Sequence, residues 1–189
     1  MTLQPDQRTA LLLVDIQEGF RSPVWGQRNN PQAEAQAARL LARWRERGWP
    51  VVHIQHLSGE PDSPLKKGSA GTAFQAAVQP LPGEPVMTKS VNSAFIGTGL
   101  EEYLRSQAIT GLVIAGLTTD HCVSTTTRMA GNLGFQTWLV GDAAATFGKE
   151  DAQGRFFDAE TLHQAHLASL HGEFAQVVQA DELLQGLAQ

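Results

Sequence analysis

Two short and continuous apolar runs, at residues 9–16 and 112–115, constrain the fold of this chain most strongly. The second run is rich in β-branched residues and is bounded by Gly111 and Gly116. Such runs are typical of strands that are buried on both faces, as inside a parallel sheet. Further strands are predicted at residues 50–55, 86–88, 135–140 and 174–178, with helical segments between them. Because strands and helices alternate, we predict a three-layer, Rossmann-like α/β fold: a doubly wound, six-stranded parallel sheet with helices on both faces.

Composition and charge narrow the class of protein further. The 189 residues are expected to form a single domain, 1–189, and 42% hydrophobic with 17% charged residues is too apolar for a disordered chain. A net charge of −5 disfavours a nucleic-acid partner. No run approaches the roughly 20 apolar residues of a membrane span, and residues 1–10 lack a signal-peptide pattern. We therefore expect a cytoplasmic protein that contacts no membrane. Separately from composition, we expect a homo-oligomer, a dimer or a tetramer, whose partner is a small molecule.

Cys122 is the only cysteine in the chain, and it follows the apolar run at residues 112–115. Thr118, Thr119 or Asp120 can cap a helix that begins near His121, which places Cys122 in the first helical turn. Unpaired N–H groups and the helix dipole lower the pKa of a thiol in that position, so that it becomes nucleophilic. The alternative is that Cys122 only fills space, since free cysteine is often buried.

Two further reactive residues also follow predicted strands. Asp15 stands at the end of the first strand, and Lys89 follows the third. In a parallel sheet the carboxyl ends of the strands share one edge, so we expect Asp15, Lys89 and Cys122 to converge there. A carboxylate can take the thiol proton as a general base, and an ammonium can stabilise the thiolate. Taken singly, Asp15 is equally suited to a turn and Lys89 to a solvated surface.

Three motifs resemble those of the isochorismatase-like cysteine hydrolases, which include nicotinamidases and N-carbamoylsarcosine amidohydrolases. They are Leu-Leu-Val-Asp-Ile-Gln at residues 12–17, Val-Met-Thr before Lys89, and Gly-Leu-Thr-Thr-Asp-His-Cys-Val at residues 116–123. The resemblance covers essentially the whole chain. It implies a catalytic triad of Asp15, Lys89 and Cys122 and hydrolysis through a covalent thioester.

The resemblance also implies a cis peptide bond between Leu117 and Thr118. In that arrangement the backbone N–H groups of Thr118 and Cys122 form an oxyanion hole, which suits the need of a tetrahedral intermediate for preorganised donors.

In one respect the chain departs from the nicotinamidases, which hold a metal with an Asp-x-His pair after the second strand and a later histidine. Here the corresponding residues 55–58 read Gln-His-Leu-Ser. His53 and His56, three apart at the end of a strand, are expected to point to opposite faces. His163 and His166 share a helix face that we interpret as solvated. We therefore expect no catalytic metal and no cofactor.

Several residues near the inferred site are candidates for the substrate pocket: Phe20, Trp25, Asn92 and Phe95. His121 is expected to face away from the site, because successive helical residues point about 100° apart. These observations favour a metal-independent cysteine hydrolase that cleaves a C–N bond (amide, carbamoyl or lactam) of a small molecule. The alternatives are an isochorismatase-type vinyl-ether hydrolase, which Cys122 disfavours because members with that chemistry lack the cysteine, and a non-catalytic binding protein that retains the fold.

Overall fold

The computed structural model describes residues 4–187 and contains a six-stranded, all-parallel central sheet. The strands of the sheet are β1 (Thr9–Val14), β2 (Val51–His56), β3 (Val86–Lys89), β4 (Gly111–Leu117), β5 (Gln136–Ala145) and β8 (Gln176–Val178). Their order is β3-β2-β1-β4-β5-β8, and the short strands β6 (Lys149–Glu150) and β7 (Phe156–Phe157) form a separate antiparallel hairpin. This topology confirms the predicted doubly wound α/β fold.

Five α-helices cover the two faces of the sheet: α1 (Ala33–Glu46), α2 (Leu100–Ser106), α3 (Ser124–Asn132), α4 (Ala159–Leu170) and α5 (Ala180–Gly186). Strand β1 shows how the layers form, because its residues alternate between two apolar cores. Leu12 and its neighbours on one face pack with α2, α3 and α4, while Leu11 and Leu13 pack with α1 and α5. None of the helices within residues 4–187 has both the length and the apolar character needed to cross a bilayer.

Strand β5 is longer than predicted. The sequence suggested that it ends at residues 141–142, but the strand continues to Ala145. Polar groups in the extension are satisfied by partners outside the sheet: the Asp142 carboxylate accepts the N–H of Ala180, the first residue of α5, at 2.8 Å. The Asn30 side chain also donates to the carbonyls of Gly141 and Ala144. The extension moves the carboxyl end of β5 to the functional edge of the sheet.

The strand order reverses between β1 and β4, and this switch point is where doubly wound folds bind ligands. Gly116 makes the close approach of the two strands possible. Its φ is +139°, and a Cβ atom there would lie 2.0 Å from the carbonyl oxygen of Val14. Only glycine fits this position, so the pairing of β1 with β4 brings Asp15 next to the segment that leads to Cys122.

Candidate active site

The side chains of Asp15, Lys89 and Cys122 meet at the carboxyl edge of the sheet. Lys89 Nζ lies 2.6 Å from Asp15 Oδ2 and 3.2 Å from Cys122 Sγ. All three residues are buried, with exposed fractions of 0%, 4% and 7% for Asp15, Lys89 and Cys122. A buried carboxylate needs a partner, and the Lys89 ammonium supplies it, so the cluster is electrically balanced while the thiol stays neutral.

A short turn carries Cys122 from β4 into α3. The Leu117–Thr118 peptide bond is cis, and residues 119–123 form a π-helical turn in which the Val123 N–H reaches the Thr118 carbonyl at 3.1 Å. The capping predicted for Thr118, Thr119 or Asp120 is wrong, because the side chains of these residues have other roles. Thr119 contacts His163, and the Asp120 carboxylate contacts Lys149 and Thr146.

The predicted lowering of the Cys122 pKa is also wrong. Burial, followed by the nearby negative charge of Asp15, raises the pKa of the Cys122 thiol to about 12, against the opposing effect of the Lys89 ammonium. The thiol donates toward Asn92 Oδ1 at 3.7 Å. Cys122 is therefore a protonated thiol at neutral pH, and it needs a base in order to react.

Asp15 has the properties of that base. Burial raises the pKa of its carboxyl group, although Lys89 acts in the opposite direction. Its Oδ1 atom is fully buried and has no hydrogen-bond partner among residues 4–187. Asp15 also has a φ of +53°, a left-handed conformation that is uncommon outside glycine and that clusters at functional sites.

His56 is a site residue that the sequence analysis missed. It is the last residue of β2 and pairs in register with Lys89, so its Nδ1 lies 3.1 Å from Lys89 Nζ. Burial, followed by the charge of Lys89, lowers the pKa of His56 to about 4, which leaves the ring neutral. The buried Gln17 fixes the segment, since its amide accepts the His56 N–H and donates to the His56 carbonyl.

A cavity of about 340 Å³ opens above Cys122. Phe20, Trp25 and Asn92 line it, but Phe95 does not. The Phe95 ring instead packs on the core and stacks with Phe135 at a centroid distance of 6.1 Å. The other lining residues are Val24, His56, Ser63, Leu65, Thr118, His121, Phe147, Gly148 and Lys149.

One wall of this cavity is aromatic. The rings of Phe20, Trp25 and Phe147 lie with centroids 5.3, 5.8 and 6.4 Å apart. Phe147 was missed because β5 was predicted to end too early. With the strand extended through residues 143–145, a residue just beyond it belongs to the functional edge.

Two further residues with ionisable side chains, His121 and Lys149, line the cavity. The expectation that His121 faces away from the site is therefore wrong, since His121 and Cys122 line the same cavity. His121 lies 3.7 Å from Asp120 Oδ2, and Asp120 pairs with Lys149. These contacts, with burial opposing them, lower the pKa of Asp120 to about 2.

The remaining histidines lie away from the thiol. His53 Nε2 contacts Glu84 Oε2 at 2.8 Å, on the far side of β2 from the cluster. The solvated helix face predicted for His163 and His166 is wrong for His163, which is 2% exposed and contacts Thr119. His166, which was predicted to share that face, is half-buried, and its Nδ1 lies 3.4 Å from Ser124 Oγ.

The sheet with its switch point and the thiol at its carboxyl edge define a doubly wound α/β protein with a buried cysteine beside a cavity at the ligand-binding edge. A family model described as "Isochorismatase domain" matches residues 9–182. The chain belongs to the isochorismatase family, as its motifs indicated.

The relatives span this chain almost completely. The isochorismatase family protein YrdC of Bacillus subtilis is 49% identical over 95% of this chain and 96% of its own length. The crystal structure of an isochorismatase-family protein from Chromobacterium violaceum has a TM-score of 0.94 at 46% identity, covering 98% of this chain and 97% of that one. A maleamate amidohydrolase from Pseudomonas putida is 30% identical over 96% of this chain and 87% of its own length.

Proposed function

We propose that this protein is a metal-independent cysteine hydrolase that cleaves the C–N bond of a small amide through a thioester. One observation carries the proposal: Lys89 Nζ contacts both the Asp15 carboxylate, at 2.6 Å, and the sulfur of Cys122, at 3.2 Å, and Cys122 lines a cavity. A cysteine that only fills space needs neither partner. Ionisable groups with perturbed pKa values in a cleft are typical of working sites.

In the first step Asp15 removes the proton from the Cys122 thiol, and the sulfur attacks the amide carbonyl carbon. The proton moves to a carboxyl group whose pKa is already raised by burial. The negative charge moves from oxygen to sulfur, and both atoms lie next to the Lys89 ammonium, so the charge stays paired throughout. The high pKa of the thiol makes this transfer part of the attack rather than a step before it.

The developing oxyanion requires donors that are already in place. Among residues 4–187, no acceptor takes the Thr118 N–H, and Thr118 lines the cavity next to Cys122. This N–H and the Cys122 N–H are the proposed oxyanion hole. Loss of one such donor typically costs about 10²–10³ in rate.

In the second half of the reaction, protonated Asp15 donates its proton to the leaving nitrogen, and the C–N bond breaks. The acyl group remains on Cys122 as a thioester. Asp15, again a carboxylate, then takes a proton from water, which attacks the thioester carbonyl. The C–S bond then breaks, the acid product leaves, and the Cys122 sulfur takes back its proton from Asp15.

The walls of the cavity suggest the kind of amide. The aromatic wall of Phe20, Trp25 and Phe147 suits a flat or apolar acyl group, while Asn92 and His56 offer polar contacts on the other side. A volume of about 340 Å³ is at the small end of ligand sites. One similar protein is named a maleamate amidohydrolase, whose name also indicates a small amide substrate.

The decisive experiment is to trap the thioester. The protein is incubated with individual primary amides, ureido acids or lactams. Each reaction is quenched in acid, and the mass of the intact protein is measured by mass spectrometry. We expect ammonia release or ring opening with at least one compound, together with a mass increase equal to its acyl group. The Cys122→Ala variant should show neither.

An exposed lysine provides a matched control for the triad. Lys89→Met should lose most of the activity. Lys66→Met should keep it, because Lys66 is exposed and lies in a loop. Turnover by Cys122→Ala in the presence of excess chelator would refute covalent catalysis.

A further inference from the structure

The Lys89 ammonium lies at the centre of three side chains that are common metal ligands. Its Nζ is 2.6 Å from Asp15 Oδ2, 3.1 Å from His56 Nδ1 and 3.2 Å from Cys122 Sγ. One carboxylate oxygen, one imidazole nitrogen and one sulfur are the donor types that bind Zn²⁺. The ammonium therefore occupies the place that a cation bound by these three groups would take.

The spacing of the three groups suits a small divalent ion. One ligand atom from each residue lies within 4.8 Å of the others. Zinc–ligand distances of about 2.0–2.3 Å would require each donor to move toward the centre by roughly 1 Å or less. The buried Asp15 Oδ1 atom also has no partner among the described residues, so the carboxylate has a free coordination position.

We propose that Asp15, His56 and Cys122 form a zinc-type cation site that the Lys89 ammonium keeps closed, and that Zn²⁺ competes with the ammonium for it. On binding, Cys122 loses its proton to solvent and the sulfur–metal bond forms. Two anionic ligands and a neutral imidazole then balance the ion. The ammonium would remain as an extra positive charge close to the metal, so we expect the parent protein to bind the ion only weakly.

The inference rests on side-chain geometry and does not depend on amide hydrolysis. Its test therefore reads metal binding directly, with Co²⁺ as the probe. Lys89→Met keeps an unbranched side chain but removes the charge. We expect it to bind one equivalent of Co²⁺ at least ~10-fold more tightly than the parent, with the absorption of a cobalt–thiolate bond and release of one proton per ion.

Control variants assign the ligands. In the Lys89→Met background, either Cys122→Ser or His56→Ala should weaken Co²⁺ binding, and Cys122→Ser should abolish the thiolate absorption. Lys66→Met, with an exposed lysine, should bind as the parent does. Equal Co²⁺ affinity in Lys89→Met and the parent would overturn the proposal, and so would tight binding without the thiolate absorption.

A measurement on the parent protein covers the case in which Lys89→Met does not fold. Because the chain has one cysteine, iodoacetamide labels Cys122 alone. Excess Zn²⁺ should slow this labelling, a chelator should restore it, and Mg²⁺ should have no effect because it prefers oxygen ligands. Labelling that is unchanged by Zn²⁺ at concentrations that saturate free thiols would exclude the site.

Discussion

His163 Nδ1 lies 2.8 Å from Thr119 Oγ1, and the exposed fractions of the two residues are only 2% and 0%. His163 belongs to α4, whereas Thr119 begins the turn that carries Cys122. The other ring nitrogen lies 3.3 Å from the Asn30 side-chain nitrogen, which is a donor. Because a hydroxyl group both donates and accepts, the Thr119 side chain can pair with either tautomer of the neutral His163 ring. This contact fastens the nucleophile turn to a helix on the outside of the sheet.

Breaking this contact from either side should destabilise the protein. His163→Leu leaves the Thr119 hydroxyl buried without its hydrogen-bond partner, and Thr119→Val leaves Nδ1 of the His163 imidazole buried without its partner. We expect each to cost about 1–3 kcal/mol in the free energy of unfolding, measured by urea denaturation. The double variant should cost clearly less than the sum, because an apolar pair leaves no buried group unpaired. Additive losses would show that the two side chains do not act together.

A second prediction concerns the reactivity of the thiol. Because the Cys122 pKa is raised to about 12, iodoacetamide should label the parent at pH 7 more slowly than a small model thiol. Asp15→Asn removes a negative charge that raises this pKa, so labelling should become faster. Amide turnover should nevertheless be lost, because the general base is gone.

The opposite effects on labelling and turnover distinguish a general base from a group that stabilises the thiolate. Asp62→Asn is the matched control, since Asp62 is exposed, and it should change neither rate. Slower labelling in Asp15→Asn would mean that the carboxylate promotes thiolate formation in the resting protein.

The fold was predictable because strands that are buried on both faces of a sheet have continuous apolar sequences. The runs ending at Asp15 and before Cys122 are apolar throughout, and parallel pairing then brings their polar ends together. His56 and Phe147 were missed for the same reason: each can be assigned to the site only when the end of its strand is placed correctly. The predicted ends, at Gln55 for β2 and at residues 141–142 for β5, left His56 and Phe147 off the functional edge.

The protonation state of Cys122 could not be predicted from local sequence. A helix start lowers a thiol pKa only where the thiol keeps some contact with solvent and no anion is near. Here the burial comes from a core built by several elements, and the Asp15 charge from a residue more than 100 positions away in the chain. Together these two causes exceed the local effect of the turn. The contact between Thr119 and His163 is likewise long-range, and no spacing in the sequence indicates it.

A third prediction uses the lowered pKa of His56. With a folded pKa of about 4 and an ordinary value of 6.5, the unfolded chain binds more protons at His56 between these pH values. The contribution of neutral His56 to the free energy of unfolding is therefore fully present above about pH 6.5, and it is lost as the pH falls toward 4. The full difference is at most about 3 kcal/mol, and solvent screening of the half-buried ring makes it smaller.

Comparison with a variant isolates this contribution, because other histidines also have lowered pKa values. His56→Gln keeps a side-chain oxygen that can accept from Lys89 and does not titrate. Its unfolding free energy, measured by urea denaturation, should fall less steeply than that of the parent between pH 6.5 and 4. Parallel stability curves for the two proteins would show that His56 is not buried as a neutral ring.

The last prediction concerns the close approach of β1 and β4 at Gly116. An added Cβ would lie 2.0 Å from the Val14 carbonyl oxygen, and the φ of +139° is strained for any other residue. Because the clash is with backbone, no side-chain rotation relieves it. Gly116→Ala should therefore lose more than about 4 kcal/mol of stability or give no folded protein, measured by thermal unfolding and circular dichroism. Gly59→Ala is the matched control, since a Cβ at Gly59 meets no atom within 4 Å, and its stability should change by about 0.5 kcal/mol or less. If Gly116→Ala unfolded at the same temperature as Gly59→Ala, the tight pairing at the switch point would be excluded, and with it the placement of Asp15 beside Cys122.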